Sequence, residues 1–334
     1  MLIDPARLTE TPEQRELRTV ARDFFAAHGG DDGLWKRLAG ELGVQGLAIP
    51  EERGGAGYSF AELAVVLEEA GRALCAGALL PTVVLAAHTL LLCGDERYLP
   101  GIADGTLRAT VVFDGDVQAR DGTLSGTAAS VLDGAAADLV LVRADERLFA
   151  CDAEAVIRTP LRVLDETRPQ ARLEFRSTPA TPIGSADVLP RVLDIGRAAL
   201  AAEQLGGLGR ALDETVAYVR QRKQFGRPIG SFQAVKHRLA ALLVECEAAR
   251  SAAAYAIACV ATGSPDLPVA AAAAATVCAG AYRLAVAEYV QLHGGTGFTW
   301  EHPAHRHVRR ARADEVLFGT PRDHGARLAV ALGL

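Results

Sequence analysis

The chain has 334 residues, 50% of them hydrophobic, which is enough for two or three domains with a sizeable buried core. Its formal net charge of -6 excludes a global positive field of the kind that holds nucleic acid or an anionic membrane. The six cysteines form no C-x-x-C pair, which predicts small buried side chains in a reducing compartment.

Helical periodicity dominates residues 1–107, the predicted N-terminal α-helical domain. Apolar residues recur at helical spacing after Pro12 until Gly29, and further helices are predicted around Leu34–Leu42, Phe60–Leu74 and Leu80–Cys93. The Gly-rich stretch IPEERGGAGYS lies between helices, so it lacks the strand-then-helix context of a dinucleotide fingerprint.

Residues 108–185 change to a period of two and are predicted to form a small antiparallel β-domain. The strand-like runs are RATVVF, TLSGTAASVL, DLVLVRA, RLFACD and ARLEFRS, and turn-forming segments such as RDG and TRPQ separate them. Short strands at this spacing are typical of sandwiches or barrels.

Residues 186–334 return to helix and are predicted to form a C-terminal four-helix bundle. Three long helices are expected over Arg191–Gly226, Ser231–Gly263 and Asp266–Gly295, and their Ala and Gly content permits close packing. The fold class is therefore α+β, in the order helical domain, β-domain, helical bundle.

Two further features predict the location of the protein. The N-terminal text MLIDPARLTETPEQ contains acids and no uninterrupted apolar run, unlike a signal peptide. The longest apolar run, PVAAAAAATVCAGAY, is short and rich in Ala, which favours a packed helix over a membrane span. We expect a cytoplasmic protein that binds neither membrane nor nucleic acid.

Three strings in this order resemble the acyl-CoA dehydrogenase family over essentially the whole chain. They are LGVQGLAIPEERGGAGYS (Leu42–Ser59), RKQFGRPIGSFQAVKHRLA (Arg222–Ala240) and VQLHGGTGFTWEHPAHRHVRR (Val290–Arg310). The resemblance implies the fold of that family and a role in β-oxidation-type lipid metabolism. It also implies FAD as cofactor: a Glu takes the α-proton of an acyl-CoA, and the β-hydride passes to flavin N5.

The catalytic Glu is missing from both positions where the family places it. One position opens a Glu-Gly-Thr turn, and here that turn begins with Phe318. The other lies on the first long helix of the bundle, where this chain has Gly196. The flavin-ring loop of the β-domain also has no counterpart in ATVVFDGDVQARDGTLSG. We interpret Phe318 as filling the place of the carboxylate in a subunit whose own acyl site is closed.

The residues that the family lends to a neighbouring subunit are retained. By resemblance, these groups contact the pyrophosphate and adenosine half of the neighbour's FAD. Their matches here are Arg222, Gln224, Phe225, Gln233, Gln291, Gly294 and Gly295. Arg suits a pyrophosphate because it is a planar, permanently charged donor, and glycines let backbone N–H groups approach closely.

The resemblance therefore implies one subunit of a heteromeric enzyme of the α2β2 type, whose homologous catalytic partner binds most of the acyl-CoA. The pattern resembles the short chains of dehydrogenases that act on CoA-linked steroid side chains. Two alternatives stay open: a homomeric dehydrogenase with a base relocated to Glu301, Asp314 or Glu315, and a structural or regulatory protein that no longer binds FAD.

A metal site at the histidines of EHPAHRHVRRAR is disfavoured. His302, His305 and His307 are interleaved with Arg residues that would repel a cation, and no Cys or Asp completes a ligand set. We therefore predict no metal.

Overall fold

The computed structural model describes residues 3–30, 33–75 and 77–334. The helices in these ranges are α1 Pro12–His28, α2 Leu34–Arg37, α3 Phe60–Arg72, α4 Ala87–Cys93, α5 Leu99–Ala103, α6 Leu189–Gln221, α7 Gln233–Ala261, α8 Leu267–His293, α9 Ala304–Asp314 and α10 Pro321–Ala331. Helix α1 begins as its sequence predicts, because Thr11 and Gln14 form a reciprocal capping box.

Two of the predicted helices contain π-helical turns. One π-helix, Leu38–Leu42, continues directly from α2, and another, Leu79–Ala86, runs into α4. Periodicity located both helices, but it does not distinguish a π-turn from an α-turn.

The β-domain is a sandwich of two four-stranded sheets. Its strands are β1 Ala109–Val112, β2 Asp116–Arg120, β3 Thr123–Leu132, β4 Leu139–Ala144, β5 Arg147–Asp152, β6 Ile157–Pro160, β7 Gln170–Pro179 and β8 Thr181–Ser185. The sheet orders are β1-β4-β5-β8 and β2-β3-β7-β6. All pairs are antiparallel except β1 with β4, so the predicted antiparallel domain is confirmed with one parallel pair.

Apolar side chains that alternate with polar ones along the strands of both sheets form a single core between the sheets. Val140, Val142 and Phe149 from one sheet pack with Leu124 and Leu173 from the other. Strands β2, β6 and β8 were not predicted, because their alternation is short and mostly exposed.

The described residues divide into two compact units. The first contains the residues up to Gly29, Ala64–Cys75 and Arg197–Leu334, and the second contains the described parts of 30–63 and 76–196. The predicted domain boundaries at 107/108 and 185/186 stay a prediction. The predicted helical C-terminal domain is confirmed, with α8 packed on α7, α9 and α10.

Within the first unit, α3 and α6 cross at very close range. A Cβ atom built on Gly206 would lie 1.8 Å from the carbonyl oxygen of Glu68, and one built on Gly71 would lie 2.0 Å from that of Glu203. Only glycine fits at these two positions. The crossing fixes α6, which holds Arg197 near its start and Tyr218 near its end.

Helix α8 is the one helix in the described ranges that has the length and composition of a membrane span, with a mean hydropathy of 1.6 in its most apolar window. Within the protein, 61% of that window is buried. Its alanines pack inside the first unit, as in the core helix of a bundle.

Candidate functional site

The segment after α6 is a tight hairpin that presents Arg222, Gln224 and Phe225. Strand β9, Lys223–Gln224, pairs with strand β10, Arg227–Pro228, through a two-residue turn. Phe225 and Gly226 have φ values of 52° and 76°, as a type I′ turn requires. The prediction of helix up to Gly226 was wrong: α6 ends at Gln221, since the turn and Pro228 cannot continue it.

Phe225 is the most exposed large apolar side chain described, with 92% of its surface accessible. A bulky residue rarely adopts positive φ, because its Cβ crowds the backbone. The turn therefore holds an aromatic ring in solvent at a cost in strain, an arrangement that occurs mainly at functional positions.

The string Val290–Arg310 begins at the end of α8, where Gly294 has φ 60° and ψ -137°. Residues with a side chain avoid this conformation, so Gly294 is required for the chain to turn away from the helix. Gly295 follows, then a 3-10 turn over Thr296–Phe298. The Gln291 side chain is exposed and forms no helix-capping hydrogen bond with the described residues.

The structure brings the two strings together at one end of the bundle. The Tyr218 ring, four residues before Arg222, stacks on the His293 ring with centroids 4.1 Å apart. Arg238 of α7 donates to both carboxylate oxygens of Glu288 of α8 at 2.7 and 2.9 Å. These contacts place the ends of α6 and α8 and the start of α7 at a common edge.

All seven residues predicted to bind the cofactor are exposed. Within the described ranges, the side chains of Arg222, Gln233 and Gln291 make no hydrogen bond or ion pair, and the Gln224 amide donates only to the Lys223 carbonyl at 2.8 Å. Their polar groups are therefore available to a ligand or a second chain.

Beneath this edge lies a buried group of Tyr and His side chains that sequence reasoning did not single out. The Tyr289 hydroxyl donates to Glu214, and the Tyr282 hydroxyl lies 3.1 Å from His307 Nδ1. His293 Nδ1 donates to the Tyr289 carbonyl at 2.7 Å, which fixes the tautomer of that ring. The group holds the end of α8, and so positions Gln291 and Gly294.

Burial keeps two of these histidines neutral. It lowers the pKa of His293 to about 4, assisted by nearby His302. It lowers the pKa of His307 to about 3, assisted by Arg210 and Arg310.

We expect acid to destabilise this end of the bundle. Both folded pKa values lie below the unfolded value of about 6.5. Between the folded and unfolded pKa values, the unfolded chain therefore binds more protons than the folded chain. The free energy of unfolding consequently falls as the pH drops below about 6.5. The loss should be about 1 kcal/mol per histidine between pH 6.5 and 5.5, measurable by urea unfolding. His307→Asn retains an amide partner for Tyr282 and should flatten the curve, whereas identical pH dependence in both proteins would contradict the assignment.

The turn where the family has its Glu is held from α6. Phe318 has φ 64°, and its carbonyl accepts hydrogen bonds from Arg197 Nε at 3.2 Å and Nη2 at 2.8 Å. Gly319 follows with φ 122°, and a Cβ there would lie 3.0 Å from the His324 ring. The Phe318 side chain is only half-buried, so its predicted filling role stays a prediction. Gly196 lies buried within α6.

Two of the three alternative bases, Glu301 and Glu315, lack the surroundings of a general base. Hydrogen bonds from its own backbone and from Thr299 lower the pKa of exposed Glu301, whereas a base of this kind needs a raised pKa. Glu315 pairs with Arg312 at 3.0 Å and Arg283 at 3.5 Å. Asp314 is buried at the end of α9.

No group of three His, Cys, Asp or Glu side chains within the described residues could hold a metal ion. The histidines of EHPAHRHVRR have other contacts: His307 meets Tyr282, and His305 Nε2 lies 3.1 Å from the Trp300 carbonyl.

A substitution at Phe225 should separate the stability of the turn from the binding role of its exposed ring. Phe225→Asn should stabilise the fold by about 0.5–1 kcal/mol, because Asn-Gly suits a type I′ turn, while weakening whatever binds the exposed ring. Phe225→Ala is the matched control, since it removes the ring but keeps the positive φ. Denaturant unfolding of the three proteins measures this; equal stability of the Asn and Ala variants would show that the turn is unstrained.

Comparison with known protein families gives two matches. The description "Acyl-CoA dehydrogenase, N-terminal domain" covers residues 11–106, and "Acyl-CoA dehydrogenase, C-terminal domain" covers residues 186–330.

Two relatives from Mycobacterium tuberculosis are similar in sequence. Acyl-CoA dehydrogenase IpdE2 is 37% identical over 95% of this chain and 96% of its own length. Acyl-CoA dehydrogenase FadE34 is 40% identical over 87% of this chain, which spans only 42% of FadE34.

Two solved structures are also similar. The ChsE4–ChsE5 complex from Mycobacterium tuberculosis has a TM-score of 0.90 at 29% identity, covering 98% of both chains. A variant of the Tcur3481–Tcur3483 steroid ACAD has a TM-score of 0.87 at 32% identity, covering 96% of this chain and 98% of that one.

Proposed function

The chain belongs to the acyl-CoA dehydrogenase family, and on that premise we propose that it is the non-catalytic subunit of a heteromeric, FAD-dependent acyl-CoA dehydrogenase. It lends the pyrophosphate and adenosine half of a flavin site to a homologous partner, which supplies the Glu. One observation carries the proposal: the seven lent residues are exposed at a common edge, while neither family position for the base holds an acid.

The residues at this edge fit the phosphate half of FAD. Arg222 offers a guanidinium, and Gln233 and Gln291 offer amides, that have no partner among the described residues and are suitable donors for phosphate and ribose oxygens. Gly294 and Gly295 leave the backbone open to a ligand. When bound, FAD supplies the acceptor for the hydride of the acyl-CoA.

The β-domain supports the view that the flavin ring belongs to the partner. Strands β1 and β2 are joined by only three residues, 113–115. A Cβ on Gly115 would lie 3.0 Å from the Thr127 carbonyl oxygen, so this connection is tightly packed. The segment offers no extended loop of backbone donors to hold an isoalloxazine ring.

The substrate we propose is a CoA thioester, with CoA-linked steroid side chains as the leading class. Support comes from the similarity to a structure described as a steroid ACAD and to the two-protein ChsE4–ChsE5 complex. We propose a two-chain enzyme of the α2β2 type, and the similarity to these two-protein complexes supports that proposal.

Co-expression with a homologous chain that carries the Glu-Gly-Thr turn tests the proposal. We expect a stable complex with about one FAD for every two chains, and a colourless, inactive protein when this chain is purified alone. An isolated chain that binds one FAD per chain and oxidises acyl-CoA would instead establish the homomeric alternative.

Phe318→Glu, introduced into this chain and assayed with the chain purified by itself, provides a second test. Restoring the carboxylate should produce no additional dehydrogenase activity, because proton removal requires a flavin ring and an acyl chain held at the same site. Phe318→Gln controls for the polarity of the new side chain. Acyl-CoA oxidation that appears in the Glu variant alone, with this chain purified by itself, would contradict the half-site proposal.

A further inference from the structure

Helix α7 exposes an apolar surface over the first half of its length. Leu242, Cys246 and Ala249 point inward and are buried. The outer side is also apolar, and its exposed residues are Ala240, Ala241, Leu243, Val244 and Ala248. Solvent reaches 68% of Val244 and 50% of Leu243. A surface helix normally carries polar residues on its outer side, and a helix that is apolar all round is a buried one. We therefore expect another protein surface to cover this side of α7.

Helix α8 extends this apolar surface. The two helices run antiparallel: Arg238 of α7 pairs with Glu288 of α8, and the Cys278 thiol of α8 donates to the Ala249 carbonyl of α7 at 3.4 Å. In this register Leu284, which is 38% exposed, lies level with the middle of the apolar stretch of α7. We call the α7 face the set of these six exposed residues: Ala240, Ala241, Leu243, Val244, Ala248 and Leu284.

Charges of opposite sign lie toward the two ends of the α7 face. Lys236 precedes it, and Glu245 and Glu247 lie toward its C-terminal end. Lys236 and Glu245 form no hydrogen bond or ion pair with the described part of the chain. The Glu247 carboxylate lies 3.8 Å from Arg250, which is also 3.7 Å from Glu68 of α3. Lys236 and Glu247 are about three helical turns apart, so they lie on the same side of α7.

This order of basic, apolar and acidic residues is complementary to itself when reversed. A second copy, rotated by half a turn about an axis near Ala241, brings its Lys236 beside Glu247 of the first copy and its apolar residues onto the apolar residues. A two-fold contact uses the same surface on both subunits in this way. We propose that the α7 face binds the α7 face of a second copy of this chain, which joins the two halves of the α2β2 enzyme.

The inference rests on the proposed two-chain enzyme and adds to it a surface that the FAD half-site does not use. Stable interfaces bury about 1,200–2,000 Å² in total, which is more than one helix face supplies. The contact between copies should therefore be stable within the complete complex, where the catalytic partners add their own contacts. The alanines at the centre let the two helices approach closely, and the charges select the antiparallel orientation.

A cysteine placed near the proposed axis tests the contact directly. Ala241→Cys in the co-expressed complex should form a disulfide between two copies of this chain on mild oxidation, because residues at the axis lie within the short Cα–Cα reach of a disulfide. Ser251→Cys is the matched control: it is exposed on the same helix but about 15 Å along it from the axis, so it should form no such bond. Linkage of Ala241→Cys to the catalytic partner, or no linkage, would overturn the inference.

Charge reversal tests the orientation. Lys236→Glu alone should weaken association of the two copies about tenfold, because two-fold symmetry brings like charges together twice. Adding Glu247→Lys to the same chain should restore most of the affinity, since the pair is then reversed and not removed. Light scattering on dilution of the complex measures both. A double variant that associates no better than Lys236→Glu would contradict the antiparallel pairing.

Val244→Arg tests the place of this contact in the complex. It should halve the mass measured by light scattering, from four chains to two, with FAD still bound. Val330→Arg is the matched substitution of an exposed valine on α10 and should keep four chains. An unchanged mass for Val244→Arg, the same split in both variants, or loss of the catalytic partner with its FAD would overturn the inference. A parent complex without FAD would refute the proposed function instead, and the Ala241→Cys disulfide would still decide the contact between copies.

Discussion

Replacing Arg222 by Ala is expected to weaken FAD binding by the assembled enzyme by about tenfold to a hundredfold. The guanidinium is exposed beside the type I′ hairpin and has no acid within the described ranges to neutralise it. A hydrogen bond that involves a charged group contributes about 1.5–3 kcal/mol, and at an interface between chains this term appears directly in cofactor affinity. Flavin released on dilution, followed by flavin fluorescence, measures the change.

Two variants make this result specific to the half-site. Arg222→Lys keeps the charge but loses the planar pair of donors, so it should restore only part of the affinity. Lys223→Ala removes the adjacent exposed cation and should leave FAD bound, since Lys223 belongs to the hairpin ladder. If Lys223→Ala released FAD as readily as Arg222→Ala, a diffuse positive field rather than a defined contact would hold the cofactor.

Much of the fold could be predicted because its signals are local. Several of its elements can be predicted from their own residues alone. Examples are the capping box of α1, the long Ala-rich sequences of α7 and α8, and the alternating burial along β3 and β7. The order of these elements, with three strings of family-like sequence, was then enough to identify the fold.

The features that periodicity missed depend on contacts distant in sequence. The left-handed backbone of Phe318 is held by Arg197, which lies 121 residues earlier. The stacking of Tyr218 on His293 joins two strings that the sequence shows only as separate motifs. Helices α9 and α10 were not predicted as separate elements, because their charged residues obscure the apolar periodicity.

The hairpin at Phe225 is a different case, because the signal was present in the sequence. A bulky residue before Gly226, followed two residues later by Pro228, interrupts a helix. The sequence prediction continued the helix past this signal to Gly226, whereas α6 ends at Gln221. The residues of the turn itself indicate that Arg222 and Phe225 lie outside the helix.

The close crossing of α3 and α6 leads to the largest stability effect that we expect. Gly206→Ala would place a methyl group 1.8 Å from the Glu68 carbonyl oxygen, and because that atom is backbone, no side-chain rotation can relieve the overlap. The helices must separate, which should cost about 3 kcal/mol of unfolding free energy.

Gly209→Ala is the matched control on the same helix, because its added methyl would meet only the Arg72 guanidinium, at 3.6 Å. Ala is the better helix former, so this variant should be neutral or more stable by up to about 1 kcal/mol. Urea unfolding of both proteins measures the contrast. Helix α6 also carries Arg197 and Tyr218, so Gly206→Ala should release FAD from the complex even below its unfolding temperature. A Gly206→Ala protein as stable as the parent would mean that the helices do not cross at this distance.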